Sequence, residues 1–461
     1  MIKRVIKREV TPEDLLVRKA KKTSIREGSA YTISEGFGIR NITPYALALG
    51  ASNTHIGFLT SLPTMIGNFS KLLTPWFMER FGRKWIAFFG ALFQAIMWLA
   101  ILYVGYLYYY TGYTNAPIML VLVYTLLVLF GAFYGPAWSS WMKDLVTKNS
   151  GRYFGLRSKI TGFFVLISML VSGFILDYFK QTKIFIGFII IFGIAFLART
   201  CSALLFTQKY EPKLQFQEGY YFTFWQFLKK MSFNNFGRFV IFLSLVQLAT
   251  AIASPFFAVY MLKDLNFSYV EWIIVSMSSS LVSLLFLPLW GKFADNFGNL
   301  KVMKLTGYFI PLVPLFYLFS VVFDSHTWVF VYLIIVEAIS GFAWAGFNLS
   351  SSNFIYDAVT RQRMAICVAY SDILNGIGVF IGASLGGFMS ESGIMFLGLT
   401  PMLFLFFISF LARVFSIWVF LPMIREVRNV DYFGMRDMKK ILTAVNPGKV
   451  MKRFEMDTKT R

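Results

Sequence analysis

Charge, sulfur and imidazole are what this sequence lacks. Only 15% of its 461 residues are Asp, Glu, Lys or Arg, against roughly 25% in ordinary soluble domains. A chain this poor in charge cannot clothe a single soluble core of its size. Its two cysteines, Cys201 and Cys367, lie near the ends of apolar runs, and its two histidines, His55 and His326, fall where runs meet loops. Thiols so placed read as small buried hydrophobes rather than a disulfide. With so few His and Cys there is no zinc-spaced cluster, and neither a P-loop nor a nucleophile elbow occurs. ATP-driven pumping and hydrolytic chemistry therefore find no support, and no cofactor or metal is expected. A membrane-embedded enzyme would need a polar catalytic cluster at one membrane face, and none is visible.

What the chain has is apolar length. Hydrophobic residues make up 57% and aromatics 19%. Runs of 18 or more apolar residues recur, each able to cross a hydrocarbon core of ~30 Å. Twelve spans are expected: 28–49, 54–77, 85–109, 117–142, 158–179, 183–207, 239–261, 269–290, 302–323, 327–350, 364–389 and 395–421. The chain thus reads as an all-α polytopic membrane protein. A basic N-terminal tail (1–27) precedes six spans (28–207), a polar and aromatic linker (208–238), six more spans (239–422) and a basic C-terminal tail (423–461). The linker's aromatic and lysine content suggests a helix lying at the membrane interface.

The net charge of +21 invites a nucleic-acid partner, but its placement argues against one. Most of the 44 Lys and Arg fall in alternate loops and the two tails, while the opposite loops hold only Lys180, Lys183 and Lys263. That asymmetry follows the positive-inside rule and puts both termini in the cytoplasm. Residues 1–27 have no apolar core and no cleavage site, so they are no signal peptide. The lipid bilayer is the expected partner, the plasma membrane the expected location and a monomer the expected state.

The chain also repeats itself. FLARTCSALLF (196–206) and FLARVFSIWVF (410–420) share Phe, Leu, Ala, Arg, Ser and Phe at an offset of 214 residues. Gly82 and Gly298, Gly173 and Gly387, and Pro44 and Pro255 keep nearly the same step. Two like halves in a membrane chain suggest a transporter with its site between repeats. Further, PWFMERFGRK (75–84) follows the second span and GKFADNFGNLK (291–301) the eighth. These resemble the signature loop of the major facilitator superfamily: a leading glycine, an acid fifth, a base sixth, a glycine eighth, then further bases. In the first copy the matching residues are Glu79, Arg80, Gly82, Arg83 and Lys84; in the second they are Gly291, Asp295 and Gly298. Pro75 replaces the leading glycine, and Asn296, Asn299 and Leu300 replace bases. The glycine allows a tight reversal, and the acid can sit against a helix N-terminus or a buried arginine. The resemblance implies twelve transmembrane helices in two six-helix bundles, the major facilitator fold, with alternating access. It also implies that spans 1, 4, 7 and 10 line a central cavity.

Symmetry then sorts the intramembrane charges. Arg199 and Arg413 are echoed and read as architectural, either snorkelling or pairing with a carboxylate at the inner face. Glu35, Arg40, Lys71, Glu337 and Asp372 are not echoed. Lys71 is expected to snorkel, and Asp372 to pair with the inner basic loops. Arg40 and Glu337 both fall near the midplane, where an isolated charge costs roughly 2.5–3.5 kcal/mol or more. They are expected to form a functional pair across the halves. Gln247, Tyr134, Trp138, Trp344 and Asn348 complete the expected cavity. Ring faces with a few polar donors suit a sugar, an amphiphile or an aromatic acid. Glu337 and Glu35 are candidate proton carriers, because a desolvated carboxylate binds its proton more tightly. Gly378, Gly382 and Gly386, at i, i+4 and i+8, read as a close-packing stripe. The expected function is secondary active transport of a small organic solute coupled to protons. Proton-driven export of amphiphilic drugs or lipids, and a non-transporting membrane sensor, are the rivals.

Overall fold

The computed structural model describes residues 11–147, 150–212, 222–360, 363–393, 399–428 and 430, and helices build all of its layers. Thr11 opens α1 (Pro12–Phe37) with a capping box: its hydroxyl accepts the Asp14 amide, and the Asp14 carboxylate returns to the Thr11 amide. Residues 12–27, expected as tail, are therefore the first turns of a helix. They are held because Thr23, Ser24 and Glu27 are buried and the Tyr153 hydroxyl donates to Lys21 O at 3.0 Å.

A 3₁₀ turn, Ile39–Asn41, separates α1 from α2 (Ile42–Ala48). The Asn41 amide donates to Gly36 O at 2.9 Å, Phe37 O at 3.1 Å and Ser172 Oγ at 3.0 Å. A buried break needs such a donor, since carbonyls leaving the helical ladder are costly in an apolar core.

The first half continues through α3 (Asn53–Ser70), α4 (Thr74–Thr111), α5 (Ala116–Leu145), α6 (Ser150–Lys180) and α7 (Ile184–Thr207). Short α8 (Phe224–Lys230) follows in the linker. The second half holds α9 (Asn235–Ala253), α10 (Phe256–Val259), α11 (Tyr269–Phe297), α12 (Asn299–Gly307), α13 (Leu312–Phe319), α14 (His326–Ala358), α15 (Met364–Glu391) and α16 (Pro401–Phe415). Pro255 sits in the break between α9 and α10, the counterpart of the break beside Pro44.

Among the described residues, ten of the twelve expected spans are helices long and apolar enough to cross a membrane. The remaining two are the most polar: the broken α1–α2 rod and the 18-residue α3, which carries Asn53, Thr54, His55, Ser61, Thr64 and Asn68. Inside each half the helices pack closely. A Cβ on Gly378, Gly382 or Gly386 would run into the α9 carbonyls of Ser244, Leu248 and Ile252 respectively, so the stripe does bring α15 against α9.

Between halves, α3 meets α15 and α6 meets α11. At the end away from the two signature loops, Glu391 accepts the Thr54 amide at 2.9 Å and its hydroxyl at 2.6 Å. Asp177 accepts the Tyr269 and Val270 amides at 2.8 Å each, capping α11 from across the interface. Nearer the signature-loop end, Lys71, expected to snorkel, has an ion-pair partner in the other half. Its ammonium pairs with Asp372 at 2.8 Å, while Asn68 donates to Asp372 O. Asp372 therefore spends its charge on the other half, not on the basic loops.

Candidate functional site

A cavity of about 330 Å³ opens between the halves. Its wall comes from Thr250, Ser254 and Phe257 at the α9–α10 break, from Trp272, Ser276, Ser279 and Ser280 on α11, and from Glu337, Ser340 and Trp344 on α14. Arg413 closes one side, and Arg40 is the one lining residue from the first half among the described residues. Serines four residues apart on α11, and Glu337 with Ser340 and Trp344 on α14, share faces through the helical repeat. The Ser276 hydroxyl is spent on Trp272 O. Ser254, Ser280 and Ser340 make no side-chain hydrogen bond among the described residues, and buried Thr250 Oγ1 is unpartnered. The wall thus offers hydroxyls and two indoles to whatever enters. A larger recess of about 560 Å³, by Arg238, Met423 and Arg425, lies at the end of α16 and has no carboxylate among its lining residues. Its position away from the interface between halves makes it the poorer candidate.

Arg40 and Glu337 both line the cavity, but they do not pair. Arg40 Nη2 lies 2.7 Å from Glu35 Oε1 in its own rod, where the 3₁₀ turn brings residues five apart together. Glu337 accepts a hydrogen bond from the Tyr317 hydroxyl at 2.9 Å and feels the charge of Arg413. Each charge expected to be stranded therefore has a partner nearer than the other half.

Arg199 and Arg413 neither snorkel nor seek an inner carboxylate; both are 1% exposed. Arg413 donates to Ser409 Oγ at 3.1 Å, Thr250 O at 3.4 Å and Ile310 O at 3.0 Å. Ile310 O would normally accept the amide four residues on, but that residue is Pro314 and has no N–H. Arg413 supplies the missing donor. Arg199 donates to Gln94 Oε1 at 2.7 Å and Ser202 Oγ at 2.9 Å, with its guanidinium over the Tyr31 and Tyr134 rings. Tyr134 is thereby part of the first bundle's interior and not of the cavity.

Trp138 is also displaced from its expected role. Its indole N–H donates to Glu27 at 3.4 Å, and Arg157 stacks over its ring while approaching Glu27 at 3.8 Å. Lys209 lies beside them, 1% exposed, over the Trp141 ring at 4.4 Å. Burial pulls the Lys209 ammonium down to about 8, with Glu27 opposing and Arg157 reinforcing. Gln247 is half-buried and Asn348 exposed, and neither lines the cavity. Of the eight expected cavity residues, Arg40, Glu337 and Trp344 line it, and Glu35 touches it through Arg40.

The signature loops turn at their glycines: Gly82 has φ 70° and ψ 157°, Gly298 φ 92° and ψ 156°. Arg83 is fully buried, its guanidinium against Asp144 at the end of α5, Glu211 after α7 and Pro212 O. Glu211 also accepts the Arg83 amide at 2.8 Å and the Lys84 amide at 3.3 Å. The loop's own acid, Glu79, is exposed without an ion pair among the described residues, and Arg80 lies over Trp76. The carboxylates that bind the loop thus come from elsewhere. In the second half Asp357 and Glu426 stand where Asp144 and Glu211 stand in the first: Asn299 donates to Asp357 at 2.7 Å, and Glu426 accepts the Leu300 amide at 2.8 Å. Asp295 is 75% exposed and meets Arg428 at 3.9 Å, and Gly291 is a half-buried position within α11. Asp144 to Asp357 and Glu211 to Glu426 keep almost the 214-residue step, the signal by which sequence could have found them.

Solved structures share this architecture. A mutant form of the nucleoside transporter NupG matches with a TM-score of 0.68 at 17% identity, over 89% of this chain and 100% of that one. A bacterial homologue of the iron transporter ferroportin, in an inward-facing state, matches at 0.65 and 11%, over 88% and 98%. A D-xylose–proton symporter matches at 0.63 and 14%, over 90% and 99%. No curated protein matches the sequence. The family model described as Major Facilitator Superfamily matches residues 30–243 and again 239–432. With both halves matched and two reversing loops at corresponding places, the chain belongs to the Major Facilitator Superfamily of membrane transporters.

Proposed function

We propose that this protein is a secondary active carrier that moves a small hydroxylated organic solute by alternating access, coupled to protons. One observation carries the reading: a cavity of about 330 Å³ between the halves offers uncommitted hydroxyls, the indoles of Trp272 and Trp344 and the carboxylate of Glu337. Hydroxyl and indole walls match the polar edges and apolar faces of a sugar or nucleoside. Relatives in fold named for nucleoside and for D-xylose–proton transport support that class. Glu337 is the proton-carrying group in this reading, because the hydrogen bonds it accepts come from the neutral hydroxyls of Tyr317 and Ser279 and its carboxyl faces the cavity.

The signature-loop end faces the cytoplasm, as the basic loops argue. Opening outward then breaks the bonds of Glu391 with Thr54 and of Asp177 with the start of α11. Opening inward parts Lys71 from Asp372. Purified protein in proteoliposomes, given a pH gradient and a panel of labelled monosaccharides and nucleosides, should accumulate at least one, and Glu337→Gln should lose the response to the gradient. Flux of none, or a gradient response unchanged in Glu337→Gln, would overturn the corresponding part.

A further inference from the structure

The two signature loops are built alike, but the second lacks its arginine. In the first half Arg83 follows the reversing glycine and reaches Asp144 and Glu211. In the second half the residue after the glycine is Asn299, fully buried, with a short neutral amide that meets Asp357 alone. Asp357 keeps only 15% of its side-chain surface, so a carboxylate there, one amide aside, is poorly compensated. The structure brings a guanidinium from another part of the chain. Arg428, beyond α16 and its terminal turns, places Nε 3.0 Å from Asp357 Oδ2 and Nη1 3.9 Å from Asp295 Oδ1. Two residues earlier, Glu426 accepts the Leu300 amide, so the same short segment grips the loop twice.

We propose that Arg428 is the positioning residue that replaces the missing loop arginine. It ties α11 to α14 from the segment behind the last span, while Glu426 of the same segment holds the start of α12. The first half does this with a residue of the loop itself, while the second does it with a residue 130 positions after its reversing glycine, in the segment behind the last span. The clasp therefore makes the second half's rigidity depend on where the C-terminal segment lies. Arg428 is 40% exposed and touches no part of the cavity, so its loss spares solute binding and slows the conformational step.

The proposal rests on the transport reading only for its kinetic consequence, so the test has two readouts. The first is amide hydrogen exchange across residues 298–302 of purified protein, which needs no solute. Arg428→Ala should raise exchange there by about three- to tenfold, between the values for exposed and buried broken pairs. Moving the charge back into the loop, Asn299→Arg in the Arg428→Ala background, should return exchange toward the parent. The precedent is buried Arg83 between the equivalent carboxylates. The second readout is transport of whichever solute the proteoliposome panel finds. Arg428→Ala should lower kcat with KM unchanged, and the relocated arginine should restore kcat. Unchanged exchange in Arg428→Ala overturns the proposal, as does an Asn299→Arg/Arg428→Ala protein that melts like the parent yet recovers neither readout. A response in exchange with no flux in the parent protein would instead strike the transport reading and leave the clasp standing.

Discussion

Replacing each signature-loop glycine by alanine should destabilise the protein unequally, and the degraded loop should suffer more. Gly82 and Gly298 both hold positive φ with ψ near 156°, backbone that is essentially glycine's alone. Forcing an L-residue there costs about 1–3 kcal/mol. The surroundings then separate the two. A Cβ on Gly82 would stand 3.6 Å from Glu211 Oε2, an ordinary contact, so strain is the whole cost. A Cβ on Gly298 would stand 2.5 Å from Glu426 Oε2, so that carboxylate must leave and the Leu300 amide loses its acceptor. A charge-assisted bond of that kind adds about 1.5–3 kcal/mol. Gly298→Ala should therefore cost about 2.5–6 kcal/mol and Gly82→Ala about 1–3 kcal/mol. The entropy that alanine removes from the unfolded chain is common to both and cancels in the comparison. Reversible unfolding in mixed micelles, with insertion checked by matched yield, reads the difference directly. Equal costs, or a larger one at Gly82, would refute the steric argument.

Because Arg40 and Glu337 have separate partners, the stability costs of Arg40→Ala and Glu337→Gln should add to within about 0.5 kcal/mol in a double-mutant cycle; strong coupling would mean the two charges meet. Arg413→Met uncovers Ile310 O beside Pro314 and should cost about 3–5 kcal/mol in the same unfolding assay, a loss below about 1 kcal/mol contradicting the assignment. Lys209 titrates at about 8 folded against 10.5 in the open chain, so the folded state binds fewer protons across that window and stability should rise with pH there. Alkaline melting curves should show that rise in the parent and its loss in Lys209→Met. Cysteines placed at Thr114 and Asp324 should react with impermeant reagent from outside, and one at Asn296 only after permeabilisation; the reverse pattern would invert the topology.

Hydropathy alone made the spans legible, and the near-constant step between like segments made the halves legible. Depth was legible too: Arg40 and Glu337 do reach one cavity. Azimuth was not. Successive residues turn by 100° on a helix, so Tyr134 and Trp138 shared the right level of α5 yet face Arg199 and Glu27 inside their own bundle. Pairing was least legible. The 3₁₀ turn that lets Arg40 reach Glu35 leaves no mark in composition, and the proline that gives Arg413 its work lies ninety-nine residues before it in the chain. Segments taken for tail and linker held the rest. Glu27, Lys209, Glu211 and Glu426 are polar residues just past the apolar runs, where hydropathy stops informing and only packing decides.

The cavity wall is lopsided, with Arg40 facing a surface made otherwise, among the described residues, by the second half. Such a division separates what a carrier recognises from how it moves. On the reading proposed above, substitutions at Ser276, Ser280, Ser340 or Trp344 retune selectivity without disturbing the first bundle, whose buried Arg83 and Arg199 networks include none of those positions among the described residues. A chimaera joining this second half to a relative's first half should inherit this protein's preferences along with its half of the hinge.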